Sequence, residues 1–153
     1  MRHLSTRTRI ARFARIVFAL WLLFVFSNSF KTATASGADS GNLLNFLQES
    51  FGFSVTETVL RKCAHWLEYF VFGVTGLFSL LPQGRKYGQK ITSLAFSLLL
   101  IALSDETLQL FRPGRSGEVR DVWIDFAGAI CGVFAAWAAE RLILRLHRGK
   151  NEK

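Results

Sequence analysis

Apolar residues occur along this chain in four long runs, separated by shorter polar stretches. The runs cover residues 16–30, 63–81, 91–111 and 122–144. A helix needs about 20 apolar residues to cross a bilayer, and backbone inside hydrocarbon must satisfy its own hydrogen bonds. The alternating pattern of a membrane β-strand is absent from the sequence. The runs predict an all-α polytopic membrane protein, with four transmembrane helices in a small bundle and a single domain over residues 1–153.

The first run has a second interpretation. Basic residues precede it, and Ala33-Thr34-Ala35 resembles the small-residue site at which signal peptides are cleaved. We favour a retained span, because the run is longer than many signal-peptide apolar regions and Lys31 separates it from the Ala-x-Ala sequence.

Residues 31–62, between the first two runs, are predicted to form an extracytoplasmic loop. Residues 31–41 are rich in Ser, Thr, Ala and Gly, which indicates irregular structure. The Leu and Phe residues that follow are typical of a short helix on the membrane surface. Ser54-Val-Thr-Glu57 has the pattern of a capping box, so the second long helix is predicted to start there, outside the membrane.

The basic residues give the chain an orientation. The net charge is +8, and 13 of the 19 Lys and Arg residues fall on the side of the two termini in a four-span topology, against six on the other side. The positive-inside rule then places both termini in the cytoplasm. No nucleic-acid-binding motif accompanies the charge, so we expect a membrane partner and no nucleic acid.

Polar residues gather at the extracytoplasmic ends of the runs. They are Arg61, Lys62, His65, Glu68, Asp105, Glu106, Gln109, Arg112, Arg115, Asp121 and Asp125. Residues three or four apart share a helix face, so Lys62, His65 and Glu68 are predicted to point together. Asp105 is likewise predicted to point with Gln109, and Asp121 with Asp125. A charged side chain at mid-membrane costs roughly 2.5–3.5 kcal/mol on insertion scales, so the deeper carboxylates should face the bundle interior.

Several interpretations of this constellation stay open. The charges nearly balance and could form a purely structural ion-pair network between three helices. Alternatively, the basic residues could bind an anion, because Arg offers bidentate hydrogen bonds to phosphate and carboxylate groups. The predicted ligand-binding residues are Arg61, Lys62, Gln109, Arg112 and Arg115. An acid–base role is a further alternative, with His65 the residue whose charge changes near neutral pH. Its catalytic candidates are His65, Glu68, Asp105, Glu106, Asp121 and Asp125.

The same acidic residues and His65 could also hold a divalent metal. However, His65-Trp-Leu-Glu68 reverses the Glu-x-x-His order of bundle di-metal sites. We therefore assign no metal ligand and expect no cofactor. Gly128-x-x-x-Gly132 forms a small-residue face on the fourth run, which favours close packing with another helix and allows self-association.

Four segments carry a resemblance to a known family. They are Arg61-Lys-Cys-Ala-His-Trp-Leu-Glu-Tyr69, Ser104-Asp-Glu-Thr-Leu-Gln109, Pro113-Gly-Arg-Ser-Gly-Glu-Val-Arg-Asp121 and Asp125-Phe-Ala-Gly128. In order and spacing they resemble the VanZ-like family of bacterial membrane proteins, whose start is also similar to Phe26-Ser-Asn-Ser29. The resemblance marks as characteristic positions His65, Asp105, Glu106, Gln109, Arg115, Asp121 and Asp125. Many members have Asn where this chain has Asp125.

What the resemblance implies is a four-helix, multi-pass protein of the bacterial cell membrane. The family is named for a member that reduces susceptibility to teicoplanin-type glycopeptide antibiotics. We therefore expect a cell-envelope protein whose extracytoplasmic pocket binds an anionic lipid or cell-wall-precursor headgroup and lowers glycopeptide susceptibility. A membrane-embedded hydrolase or transferase acting on a phosphate- or sugar-bearing lipid is one alternative, and a structural membrane scaffold is another. The sequence leaves open whether the chain is an enzyme.

Overall fold

The structure, a computed structural model, describes residues 2–52, 55–81, 87–115 and 117–151. It contains five helices: α1 (Arg2–Ser29), α2 (Ala33–Phe51), α3 (Glu57–Ser79), α4 (Tyr87–Leu110) and α5 (Val119–Asn151). Within these ranges there is no β-strand. The all-α prediction is confirmed, and each of the four apolar runs lies within, or within two residues of, one of the long helices α1, α3, α4 and α5.

Three helices are long and apolar enough to cross a membrane, namely Thr6–Ser29 within α1, Tyr87–Leu110 and Val119–Arg145 within α5. Helix α3, which contains most of the second apolar run, is not among these three. Its N-terminal half carries Arg61, Lys62, His65 and Glu68. It packs most extensively against α5 and next against α1. Polar residues on such a central helix can face neighbouring helices instead of lipid.

Helices α3 and α5 approach each other closely because α5 presents glycine at the contact. A Cβ atom added to Gly128 would lie 2.3 Å from the Trp66 carbonyl oxygen, and one added to Gly132 would lie 2.1 Å from that of Phe70. The predicted small-residue face is thus occupied by α3 of the same chain. Self-association of the chain stays a prediction.

The face of α4 that points into the bundle changes from apolar to polar along its length. Its buried residues are Leu98, Ala102, Asp105, Glu106 and Gln109. Apart from the adjacent pair Asp105 and Glu106, they follow at intervals of three or four, as one helix face requires. Leu98 and Ala102 join a core that also contains Val25 of α1, Tyr69 and Phe72 of α3, and Val122 and Ala129 of α5. The polar residues continue this face toward the turn between α4 and α5.

Helix α2 corrects the prediction of irregular structure for residues 31–41. Thr32 caps its N-terminus, with its side chain accepting a hydrogen bond from the Ala35 amide at 3.4 Å. Gly52 ends it in the left-handed conformation, with φ of 67°. The Ala33 amide donates to the Pro113 carbonyl at 3.4 Å, and α2 also packs against α3. Such tertiary contacts override the low helix propensity of the Ser- and Gly-rich segment.

The start of α3 also differs from the predicted capping box. The N-cap is Thr56, whose side chain accepts a hydrogen bond from the Val59 amide at 3.4 Å. Glu57 is therefore the first helical residue, and the box would need it at the third. Ser54, the predicted cap, lies outside the described residues.

Candidate functional site

A cavity of about 290 Å³, lined by both polar and apolar residues, lies among α1, α2, α3 and α4. Its charged and titratable lining residues are Lys31, Arg61, His65, Glu68, Asp105 and Arg115. A second cavity of about 70 Å³ shares five of its lining residues, namely Ser36, Arg61, His65, Gln109 and Arg115. The two cavities therefore adjoin, and together they bring polar residues from all five helices, with Asp121 from α5, and from the α4–α5 turn to one place.

Four potential metal-ligating residues meet deeper in the bundle. This carboxylate cluster consists of His65 from α3, Asp105 and Glu106 from α4, and Asp125 from α5. One nitrogen or oxygen atom from each residue lies within 4.8 Å of those of the other three. Asp105 is 1% exposed and Asp125 is 0% exposed. The prediction that these carboxylates face the bundle interior agrees with their burial.

Neighbouring groups orient two of the carboxylates. The buried Ser29 hydroxyl donates a hydrogen bond to Asp105 Oδ1. Gln109 Nε2 donates to Glu106 Oε1 at 3.2 Å, and the Glu118 amide donates to Glu106 Oε2 at 3.1 Å. Ser29 ends α1 and Glu118 precedes α5, so these bonds tie α4 to both neighbours and fix the directions of its two carboxylates.

Other atoms of the cluster are buried without a hydrogen bond to any described residue. They are Asp105 Oδ2, both carboxylate oxygens of Asp125, and His65 Nδ1. His65 Nδ1 lies 3.5 Å from Asp125 Oδ1, at the limit of hydrogen-bonding distance and outside its geometry. The hydroxyl of the neighbouring Tyr69 also lacks a hydrogen bond of ordinary geometry, although it lies beside the Asp105 carboxylate. Buried polar atoms in folded proteins nearly always have a partner, so this group requires an explanation.

Two arginines face the larger cavity without a carboxylate partner. Arg115 Nη1 donates to the Asn28 carbonyl at 3.3 Å, and neither Arg115 nor Arg61 forms an ion pair in the part of the chain that the structure describes. Burial, and then the nearby Arg61, lower the pKa of Arg115. It stays cationic at neutral pH because a guanidinium titrates far above that range. Both arginines thus offer free donors toward the cavity.

Two predicted ligand-binding residues lie away from the cavities. Lys62 Nζ pairs with Asp121 Oδ1 at 2.5 Å and lies 3.9 Å from Glu118 Oε2. It therefore faces α5, as His65 does through Asp125, whereas the Glu68 carboxylate contacts Asn28 of α1. The Arg112 guanidinium packs over the Phe30 ring at 4.5 Å from its centroid. The structural ion-pair interpretation therefore fits Lys62 and Asp121, while Arg61, Gln109 and Arg115 line the cavity.

Sequence reasoning assigned no site role to α1. Asn28 Nδ2 donates to Glu68 Oε1 at 3.4 Å, and Trp21 Nε1 donates to the Glu68 carbonyl at 2.8 Å. Asn28 and Ser29 also line the larger cavity. Their signal in the sequence is the polar triplet Ser27-Asn28-Ser29 at the end of an otherwise apolar run. Cleavage after Ala35 would remove this whole side of the site.

The comparison with known families covers nearly all of this architecture. The family model described as VanZ/LLP1 matches residues 13–144. This range contains both cavity arginines and every residue of the carboxylate cluster. The match confirms the resemblance carried by the four sequence segments. No curated protein and no solved structure matches the chain.

Proposed function

Since the chain belongs to the VanZ/LLP1 family, we propose that it is a multi-pass protein of the bacterial cell membrane that binds an anionic headgroup in its cavity. The headgroup belongs to a lipid or to a lipid-linked cell-wall precursor. In this proposal α3 is the fourth span, both termini are cytoplasmic, and α2 and the α4–α5 turn lie outside the membrane. The cavity then opens toward the outer surface.

The observation that carries the proposal is the pair Arg61 and Arg115, which face one cavity without carboxylate partners. Guanidinium groups bind phosphate and carboxylate oxygens through two parallel hydrogen bonds. Sites for drug-sized ligands usually measure roughly 300–1,000 Å³, so a cavity of about 290 Å³ suits a headgroup better than a whole lipid. Phe24 and Leu43, both lining the cavity and partly exposed, provide an apolar exit for the attached chain.

A binding experiment tests this proposal. The purified chain in detergent is titrated with a radiolabelled short-chain lipid phosphate, and with the neutral alcohol of the same chain as the ligand control. A charge-assisted hydrogen bond contributes about 1.5–3 kcal/mol. We therefore expect Arg61→Gln and Arg115→Gln each to weaken phosphate-lipid binding by about 10–100-fold. Arg120→Gln is the matched control, because Arg120 is exposed on α5 and lines neither cavity. Equal affinity in all four proteins would overturn the proposal.

The antibiotic part of the proposal follows from the family. When the protein binds the headgroup of a lipid or a cell-wall precursor, a lipid-tailed glycopeptide such as teicoplanin has less access to its target at the membrane surface. Cells that overproduce the chain should tolerate more teicoplanin than cells that overproduce Arg115→Gln at equal membrane abundance. The same susceptibility in both strains would refute an antibiotic role for the cavity.

A second candidate function is hydrolysis or transfer at the bound phosphate. It is favoured by His65, which lines the cavity beside Asp105 and Arg115 and has Asp125 at 3.5 Å behind it. Water would add to phosphorus while His65 accepts its proton. The phosphorus–oxygen bond to the leaving phosphate or alcohol would break, and the leaving oxygen would take up a proton. Release of phosphate from lipid mono- or diphosphates, abolished by His65→Gln, would establish this activity. No release from either would exclude hydrolysis of these lipids.

A further inference from the structure

We propose that the carboxylate cluster binds one divalent transition-metal ion through His65, Asp105, Glu106 and Asp125. The proposal goes beyond headgroup binding, which concerns the arginines, and it stands or falls separately. The order of residues within α3 gave no metal motif, and the structure shows why: the potential ligands come from three helices. Only the packing of α3, α4 and α5 brings them together.

The spacing of the ligand atoms suits one ion. A nitrogen or oxygen ligand lies about 2.0–2.2 Å from a bound zinc ion, so ligands on opposite sides of such an ion are about 4.2 Å apart. The four ligand atoms in the cluster all lie within 4.8 Å of one another. Four ligands around a tetrahedral ion would lie about 3.3–3.6 Å apart, so side-chain movements of up to about an ångström would bring the four atoms to one ion.

The unpaired atoms provide a second, independent observation. Asp125 is 0% exposed, and neither of its oxygens has a hydrogen-bond partner among the residues described. Asp105 Oδ2 and His65 Nδ1 are buried in the same way. A buried ionised carboxylate is strongly unfavourable unless a cation compensates it, and the one charged contact of Asp125 within the described residues is His65 Nδ1, at 3.5 Å from Oδ1. A metal ion would give all four atoms a partner at once.

Hydrogen bonds from neighbouring groups hold two carboxylates of the cluster in place, as such bonds do for the ligands in known metal sites. Ser29 holds Asp105 Oδ1 and leaves Oδ2 unpaired. Gln109 and the Glu118 amide each hold one oxygen of Glu106. Neighbouring groups of this kind orient metal ligands in known sites, and their removal costs about 10–100-fold in metal affinity.

The ligand chemistry limits the choice of ion. Three carboxylates and one imidazole form a mixed oxygen and nitrogen set, which suits Mn²⁺, Fe²⁺ or Zn²⁺, whereas Ca²⁺ and Mg²⁺ take oxygen ligands. The alternative explanation of the cluster is neutralisation by protons on its carboxyl groups. His65 and Asp105 also line the cavity that Arg61 and Arg115 line, so a metal ion here would adjoin a bound headgroup.

Metal binding by the purified full chain tests the proposal. The protein is treated with chelator in detergent and titrated with Mn²⁺ alone, and free Mn²⁺ is followed by electron paramagnetic resonance. We expect one ion per chain, competed away by Zn²⁺. The double variant Asp105→Asn/Asp125→Asn should bind at least 100-fold more weakly. Asp121→Asn is the matched control, because this carboxylate lies one turn from Asp125 and pairs with Lys62 outside the cluster.

Thermal unfolding in the same samples separates the metal from the proton explanation. If the cluster holds a metal, Mn²⁺ raises the melting temperature of the wild type and of Asp121→Asn and leaves that of the double variant unchanged. If protons neutralise the cluster, the double variant melts at or above the wild-type temperature and Mn²⁺ stabilises neither protein, which would overturn the proposal. Equal Mn²⁺ affinity in the wild type and the double variant would overturn it as well.

Discussion

Replacing Gly128 by alanine should separate the two helices that carry the site. The added methyl group would lie 2.3 Å from the Trp66 carbonyl oxygen and 3.1 Å from the carbonyl carbon. Real Cβ contacts are essentially never shorter than 3.0 Å, so α5 must move away from α3 by about 0.7 Å. A side-chain rotation cannot relieve this contact, because the atoms that the added methyl group meets belong to the backbone of α3.

The energetic cost follows from two opposing effects. Overpacking of a well-packed interior costs about 1–3 kcal/mol. Alanine in a helix interior gains about 0.5–1 kcal/mol over glycine. We expect a net loss of about 1–2 kcal/mol in the free energy of unfolding. In a soluble domain of this size, each kcal/mol corresponds to about 2–4 °C in melting temperature.

Thermal unfolding in detergent, followed by tryptophan fluorescence, measures this effect. Gly41→Ala is the control, because a Cβ atom at this position inside α2 meets nothing within 4 Å. Gly41→Ala should melt at or above the wild-type temperature, and Gly128→Ala should melt several degrees below it. Since Asp125 lies one turn before Gly128, the variant should also bind Mn²⁺ more weakly. Identical melting of the two variants would refute the close α3–α5 packing.

Three further outcomes are expected. Ser29→Ala should weaken Mn²⁺ binding by about 10–100-fold in the same titration, because it removes the group that orients a ligand. Lys62→Ala should lower the free energy of unfolding by at most about 1 kcal/mol, measured by thermal unfolding, because its pair with Asp121 is partly exposed. In a chain whose native cysteines are replaced by serine, an impermeant maleimide should label Arg120→Cys in intact cells. It should label Gly88→Cys only after permeabilisation, and the reverse result would invert the topology.

Local patterns in the sequence predict the long helices and the burial of the carboxylates in the site. The long apolar runs predicted α1, α4 and α5, because a helix satisfies its own backbone inside hydrocarbon and the alternation of a membrane β-strand is absent. The interior position of Asp105 and Asp125 followed from the cost of exposing charge to lipid. The spacing of Asp105 and Gln109 predicted a shared face, and both are buried on the inward side of α4.

Features that depend on contacts between distant residues were not predictable in this way. Helix α2 forms in a Ser- and Gly-rich segment that contacts Pro113 at its N-terminus and packs against α3. Lys62 pairs with Asp121 because of the way α3 and α5 are aligned along their length. The close contacts at Gly128 and Gly132 fix this alignment. Ser29 reaches Asp105 across 76 positions of sequence. No local pattern contains such information.

His65 and Asp105 belong to both the larger cavity and the carboxylate cluster, so a bound headgroup and a bound metal ion would adjoin, and ³¹P NMR tests this proposal most directly. A lipid phosphate bound to the purified chain gives a phosphorus signal that a nearby paramagnetic Mn²⁺ ion broadens. We expect one equivalent of Mn²⁺ to broaden the bound signal in the wild type and in Asp121→Asn, and to leave it sharp in Asp105→Asn/Asp125→Asn. A signal that stays sharp in the wild type, or broadens equally in the double variant, would contradict a shared site.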